Sequence, residues 1–159
     1  MTSAGGSHPL PSVRAWGYFA CVWCVLFAAL HVYWAVGGDV GLASSAGTDL
    51  ATHRPSWFVL LGLWGVALLL VAGAAFSVGM TRWRLRGRLR RVVVILGWLG
   101  GVVLLARGLL LEVVLLTGAG GIASAVGPSQ THWSLILWNP WFVLGGLVVS
   151  LATCQLQRA

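Results

Sequence analysis

Four long apolar runs, at roughly 15–36, 57–79, 92–117 and 133–153, leave this 159-residue chain little freedom in how it folds. Crossing the ~30 Å hydrocarbon core of a bilayer takes about 20 largely apolar residues in a helix, and each run meets that length. The expected architecture is an all-α membrane protein, a bundle of four transmembrane helices formed by two helical hairpins. A content of 58% hydrophobic and 8% charged residues excludes an ordinary soluble domain. Residues 1–14, polar and rich in Pro, Gly and Ser, read as a disordered tail, and 154–159 as a second short tail, so 15–153 is a single transmembrane domain. The first run is too long for a signal-peptide core and is expected to stay in the protein. The localisation that follows is the cell membrane, as a multi-pass protein.

All ten basic residues are arginine, and Arg82, Arg84, Arg86, Arg88, Arg90 and Arg91 fall between the second and third runs. Positive charge concentrates on cytoplasmic loops, which places that turn inside. With an even number of crossings, Arg14 and Arg158 fall inside too, and both termini are expected in the cytoplasm. A net charge of +7 raises the question of nucleic acid. Arginine alternating through RWRLRGRLRR between two membrane runs is more simply a topology signal that also attracts anionic lipid head groups, so no nucleic-acid partner is expected. Cys21 and Cys24 have the CxxC spacing of redox and metal sites. In an apolar helix, however, buried cysteine behaves as a small hydrophobe, and no metal is expected there or at Cys154.

WFVLLGL at 57–63 returns as WFVLGGL at 141–147, each with a proline close before it, Pro55 and Pro140. The pair hints at an internal repeat, of the kind common in membrane folds. The second copy alone is too short to cross, so the fourth helix must begin near Trp133 and carry Pro140 inside it, which frees a carbonyl and invites a kink. Glycines spread through the runs let helices approach closely. The two connections on the other side, 37–56 and 118–132, are short and Gly/Ser-rich.

Acids are the scarcest residues: Asp39, Asp49 and Glu112 are all there are. Glu112 alone lies within a run, and an ionisable group in hydrocarbon marks a functional site by default. Its neighbour Arg107 is five residues away, about 140° round a helix of 3.6 residues per turn, so the two side chains should not pair directly. Counting ~1.5 Å per residue from the outer ends puts His31, Glu112 and Asn139 at one depth, ~8–10 Å below the outer surface. Several of the ten tryptophans are not explained as interface anchors. Trp34 is one turn from His31, Trp64 lies at a similar depth on the second helix, and Trp138 and Trp141 flank Asn139. The polar layer is expected to sit within an aromatic wall whose ring faces favour cations.

A carboxyl group in apolar surroundings favours its neutral, proton-donating form. Beside several indole faces, such a donor suits the protonation of an alkene, with the resulting carbocation shielded by the rings. On this reading Glu112 is the acid, His31 a base or relay, and Asp39 a second acid at the membrane surface. Trp34, Tyr33, Trp64, Trp138, Asn139 and Trp141 bind an isoprenoid or sterol-like lipid that enters from the bilayer. No metal motif, GxSxG elbow or phosphate-cradling loop is present, and the expected mechanism uses no cofactor. A lipid-binding or accessory subunit whose polar layer only joins helices is the alternative. A transporter or channel would need several copies of so small a chain, so that reading expects an oligomer.

HVYWAVGG at 31–38 and LWNPWFVLGG at 137–146 resemble the signature ends of a family of small four-helix bacterial membrane proteins of unknown function. That resemblance marks His31, Tyr33, Trp34, Gly37, Gly38, Asn139, Pro140 and Trp141, and implies no activity. Gly37 and Gly38 are also what a helix C-terminus calls for. In size and topology the chain resembles the small bacterial membrane terpene cyclases of the drimentine and xiamycin type, which implies cyclisation of a prenylated indole by olefin protonation. A looser likeness to the sterol-isomerase-like membrane fold carries no residues over.

Overall fold

The computed structural model describes residues 15–83 and 86–158, and every regular element among them is helical. The tail 1–14, with Arg14, and Arg84 lie outside the described residues. Four helices are long and apolar enough to cross a membrane: Ala15–Ala35, Phe58–Arg82, Gly87–Thr117 and Pro128–Arg158. The first is α1 (Ala15–Ala35), followed by the short helices α2 (Leu42–Ala46) and α3 (Thr48–His53). A π-helical segment, Phe58–Gly65, then runs into α4 (Val66–Arg82). The second half is α5 (Gly87–Thr117), α6 (Ile122–Val126), α7 (Pro128–Trp133), a π-helical segment Ser134–Trp138, and α8 (Asn139–Arg158).

The four long helices follow the apolar runs, and their ends differ in instructive ways. α5 starts at Gly87, so Arg88, Arg90 and Arg91 ride on its first turns and not on a loop. α8 continues to Arg158, so residues beyond 153 are helix and not tail. The chain leaves α1 where the glycine pair stands, with Gly37 at φ 111, a conformation glycine adopts without cost. Pro140 sits in the first turn of α8, directly after the π-helical segment. A proline lacks the N–H that closes the turn before it, and the wider winding takes up that fault without breaking the helix.

The two connections at the end opposite the arginine-rich turn are built alike. Gly41, Ser44 and Gly47 recur at the same spacing as Gly121, Ser124 and Gly127. Ser44 Oγ donates to the Gly41 carbonyl at 2.7 Å and Ser124 Oγ to the Gly121 carbonyl at 2.7 Å. Gly47 (φ 94, ψ 155) and Gly127 (φ 85, ψ 163) separate the two short helices of each connection with nearly the same backbone turn. The repeat hinted at by WFVLLGL and WFVLGGL therefore extends back through the pair of short helices before each copy. The copies differ in one place. Trp57 follows Gly47 by 10 residues and Trp141 follows Gly127 by 14, about one extra helical turn. That turn falls where Ser134–Trp138 winds as a π-helix and joins α7 to α8 without interruption, whereas α3 ends at Arg54, in a left-handed conformation with φ 42.

α1 packs along α4, and α5 along α8; the two hairpins meet through α1 and α8, while α5 lies at the edge against α8. The buried residues of α5 are Gly97, Gly101, Gly108 and Leu115, so this helix meets its neighbour mainly through glycine. A Cβ at Gly108 would stand 2.8 Å from the Asn139 carbonyl oxygen, and one at Gly146 would stand 2.9 Å from that of Gly101. Close backbone approach of this kind is how apolar helices associate where lipid competes for every larger side chain.

Candidate functional site

Asn139 is the hub of the polar layer. At 1% exposure it lies between α8 and α5, and its amide bridges two side chains of α5. Asn139 Nδ2 donates to Glu112 Oε2 at 3.0 Å, and Arg107 Nη1 donates to Asn139 Oδ1 at 3.3 Å. The reverse amide orientation would set its N–H groups against the guanidinium and its oxygen against the carboxyl, so the two partners together hold the side chain in one pose. Arg107 and Glu112 do not pair directly, and both instead bond Asn139 of the neighbouring helix. The partner that Arg107 needed is thus Asn139. The guanidinium carbon also lies 4.8 Å from the centre of the Phe142 ring, a cation–π contact.

His31 stands in an aromatic cluster next to this array. Its Nδ1 donates to the Phe27 carbonyl at 2.9 Å, since a carbonyl can only accept. Nε2 is then the nitrogen with the free lone pair. The imidazole meets the Phe27 ring edge-on at 4.6 Å and the Trp34 ring at 5.2 Å. Trp34 in turn contacts Trp138 at 5.8 Å, and Phe27 contacts Trp141 and Phe142 at 6.0 and 5.6 Å. Of the three groups expected at one depth, Glu112 and Asn139 are hydrogen-bonded to each other, and His31 is linked to them through the rings of Phe27 and Phe142 and the Arg107 guanidinium.

The other expected residues lie apart. Asp39 is exposed in the connection after α1. Tyr33 and Trp64 are 40% and 39% exposed, outside the ring cluster, and Tyr33 covers Gly38. Phe27, Phe142 and Arg107 take their places around the polar groups. Arg107 was visible as an unpaired base in an apolar run, while Phe27 and Phe142 were two aromatics among many. Among the described residues, His, Cys, Asp and Glu do not gather in groups of three that could hold a metal ion.

The rim of this layer is tied to the connection between α1 and α4. Trp34 Nε1 donates to the Val40 carbonyl at 2.9 Å, Trp138 Nε1 to Ser44 Oγ at 3.2 Å, and Arg54 reaches the carbonyls of Trp34 and Gly38 at 3.2 and 2.6 Å. Arg54 thereby ties the chain after α3 to the end of α1, where the Trp34 carbonyl also accepts the Gly37 N–H at 3.2 Å.

Toward the arginine-rich end, a cavity of about 380 Å³ lies between α1 and α8. Trp16, Phe19, Trp23 and Leu26 form one wall, and Trp141, Leu144 and Val148 the other. Trp23 stacks on Trp141 at 5.8 Å and donates its indole N–H to the Trp141 carbonyl at 3.1 Å, which fixes the upper end of the groove. Gly145 leaves room for that ring. Trp141 therefore belongs to both features, the cluster above it and the groove below.

These features define a class: a protein whose described elements are all helical, with four helices of membrane-crossing length, an Arg–Asn–Glu array centred on a buried asparagine, and an aromatic groove. The chain belongs to DUF3995, described as a protein of unknown function, whose family model matches residues 24–149. Both motifs, at 31–38 and 137–146, fall inside the matched segment. No curated protein and no solved structure matches the chain, and the likeness to membrane terpene cyclases finds no support in these comparisons.

Proposed function

We propose that this chain is a multi-pass membrane protein that binds the hydrocarbon tail of a lipid, isoprenoid or acyl, in the groove between α1 and α8. The observation that carries this reading is the cavity itself: about 380 Å³ with walls of Trp, Phe, Leu and Val alone. That volume is at the small end of the ~300–1,000 Å³ of ligand sites, and walls without a polar group suit a chain and not a head group. Indole and phenyl rings supply large rigid contact surfaces. A ligand that binds only the folded state raises the unfolding temperature in a concentration-dependent way. Farnesol or a short-chain phosphatidylcholine added to the detergent-solubilised protein is expected to do so, and Val148→Phe, which fills the groove, to abolish the effect. Equal behaviour of the two proteins would refute the reading.

A second reading adds chemistry, on the observation that Glu112 Oε2 is held by Asn139 while His31 keeps one nitrogen unbonded. Glu112 transfers a proton to an alkene of an isoprenoid-bearing substrate such as a prenylated indole. The tertiary cation rearranges or cyclises beside Trp34 and Trp138, and His31 Nε2 removes a proton from the adjacent carbon. The product is an isomer, and one proton has moved from Glu112 to His31. Membranes carrying the protein, given farnesylated indoles, are expected to form products of unchanged mass. Formation that persists in Glu112→Gln would remove Glu112 as the acid. In the absence of product from the native chain, the array serves to join α5 to α8.

A further inference from the structure

Resting on the tail-binding reading, we infer that the α1–α8 groove measures its occupant: it takes one hydrocarbon chain of about fifteen carbons, and the stacked rings of Trp23 and Trp141 are the stop at which that chain ends. The groove is open along its side, where Phe19, Val22 and Leu26 of α1 and Leu144 of α8 are exposed, while Trp23 and Val148 are buried between the helices. A chain therefore enters sideways from the bilayer. Trp23 and Trp141 both line the cavity, stack at 5.8 Å, and are joined by the bond from the Trp23 indole N–H to the Trp141 carbonyl at 3.1 Å. Behind that pair the space is filled, because buried Phe27 meets Trp23 at 5.5 Å, Trp141 at 6.0 Å and Phe142 at 5.6 Å. Gly145 gives the Trp23 ring its place, since a Cβ there would overlap it.

The capacity follows from the volume. An apolar cavity of about 150 Å³ holds one benzene, six carbons, so the cavity of about 380 Å³ here holds roughly fifteen. Its length suits a single tail. The lined stretch of α1 runs from Trp16 to Leu26, ~15 Å at ~1.5 Å per residue, which is about half of the ~30 Å hydrocarbon core and so the depth of one leaflet. A longer chain can pass the rings only by breaking the stack and the indole bond. A shorter one leaves apolar wall without contact and forfeits dispersion energy. The two penalties act in opposite directions and together select a length.

The test follows thermal unfolding of the full chain in detergent with geraniol, farnesol or geranylgeraniol, of ten, fifteen and twenty carbons, each at the same mole fraction in the micelle. Every shift is read against that of Val148→Phe, whose filled groove reports what the alcohol does to the micelle alone. Farnesol is expected to give the largest upward shift in the native chain. In Trp23→Leu, which takes the stop away, geranylgeraniol is expected to overtake it. Damage to the fold lowers all three curves together and does not reorder them. Trp23→Phe, which keeps one ring and removes the indole bond, is expected to change the order in the same direction and replaces Trp23→Leu should that variant not fold. A shift that keeps rising to geranylgeraniol in the native chain, or an order unchanged by loss of the indole, overturns the stop and leaves the tail groove standing. Shifts no larger than those of Val148→Phe for all three alcohols overturn the tail-binding reading itself.

Discussion

The two hairpins share a scaffold and differ in what they do with it. Each leaves its first long helix through a glycine-bounded pair of short helices, repeats the serine-to-carbonyl bond, and returns through a π-helical segment. The first hairpin then closes mainly against side chains: a Cβ at Gly17 would meet Thr81 first, with the Ser77 carbonyl at 3.1 Å, and one at Gly73 the sulfur of Cys24. The second meets the side chains of Thr153 and Ser150 at Gly97 and Gly101, but closes on backbone as well, with Gly108 on the Asn139 carbonyl and Gly146 on that of Gly101, both under 3 Å. It also carries the extra turn before Trp141 and, with it, Asn139 and its two partners. A repeated scaffold thus supplies the frame, and the departure from the repeat supplies the polar site. Backbone-to-backbone approach suits that site, because side chains on two helices can then share hydrogen bonds too short to span a looser seam.

The comparison breaks most sharply at glycine. Gly108→Ala puts a methyl 2.8 Å from the Asn139 carbonyl oxygen and 2.7 Å from a methyl of Val143. Relief requires moving α5 off α8, and overpacking of this kind costs about 1–3 kcal/mol. Gly73→Ala meets Cys24 Sγ at 3.2 Å, a contact a small shift relieves. Thermal unfolding in detergent should show a fall for Gly108→Ala well beyond that for Gly73→Ala. Similar falls would mean that the two seams are equally tolerant and the contrast fails.

Replacement of the hub comes next. Asn139→Leu removes both bridging bonds and leaves Arg107 and Glu112 without them, at about 1–3 kcal/mol for a partner group left unsatisfied. Because all three act as one array, Glu112→Gln should cost much less in the Asn139→Leu background than in the native chain. Additive costs in a double-mutant cycle would show that Glu112 draws nothing from Asn139.

How far this molecule could be read from its residues varies with the physical signal. Four helices were legible because crossing length leaves a long apolar run. Glu112 and Asn139 could be matched because depth is a linear count along a helix. The place of Arg107 was not, because the angle between Arg107 and Glu112 tests only a direct pair, and a third group on the next helix lies outside that test. The short helices α2, α3, α6 and α7 have five or six residues each, too few for an apolar period to register. The π-helical segments leave no pattern either, although Pro140 marked one of them. The groove needed the packing of α1 against α8, which no local stretch encodes.

The smallest expected effect sharpens the comparison at its most symmetric point. Ser44 and Ser124 hold equivalent places and make equivalent bonds, at 2.7 Å, to the glycine three residues before. Ser44 has one further role: its oxygen accepts the indole N–H of Trp138, which joins the first connection to the start of the fourth long helix. Ser124→Ala therefore loses one local bond, while Ser44→Ala loses that bond and a contact between the hairpins. At about 0.5–1.5 kcal/mol for a hydrogen bond, Ser44→Ala should be the more destabilising by roughly that amount. The excess should vanish in a Trp138→Phe background, where the indole donor is gone. Equal costs for the two serines in the native background would place the Trp138 bond outside the interactions that hold the halves together, and the joint would then rest on the α1–α8 seam around Trp23, Trp141 and Gly145.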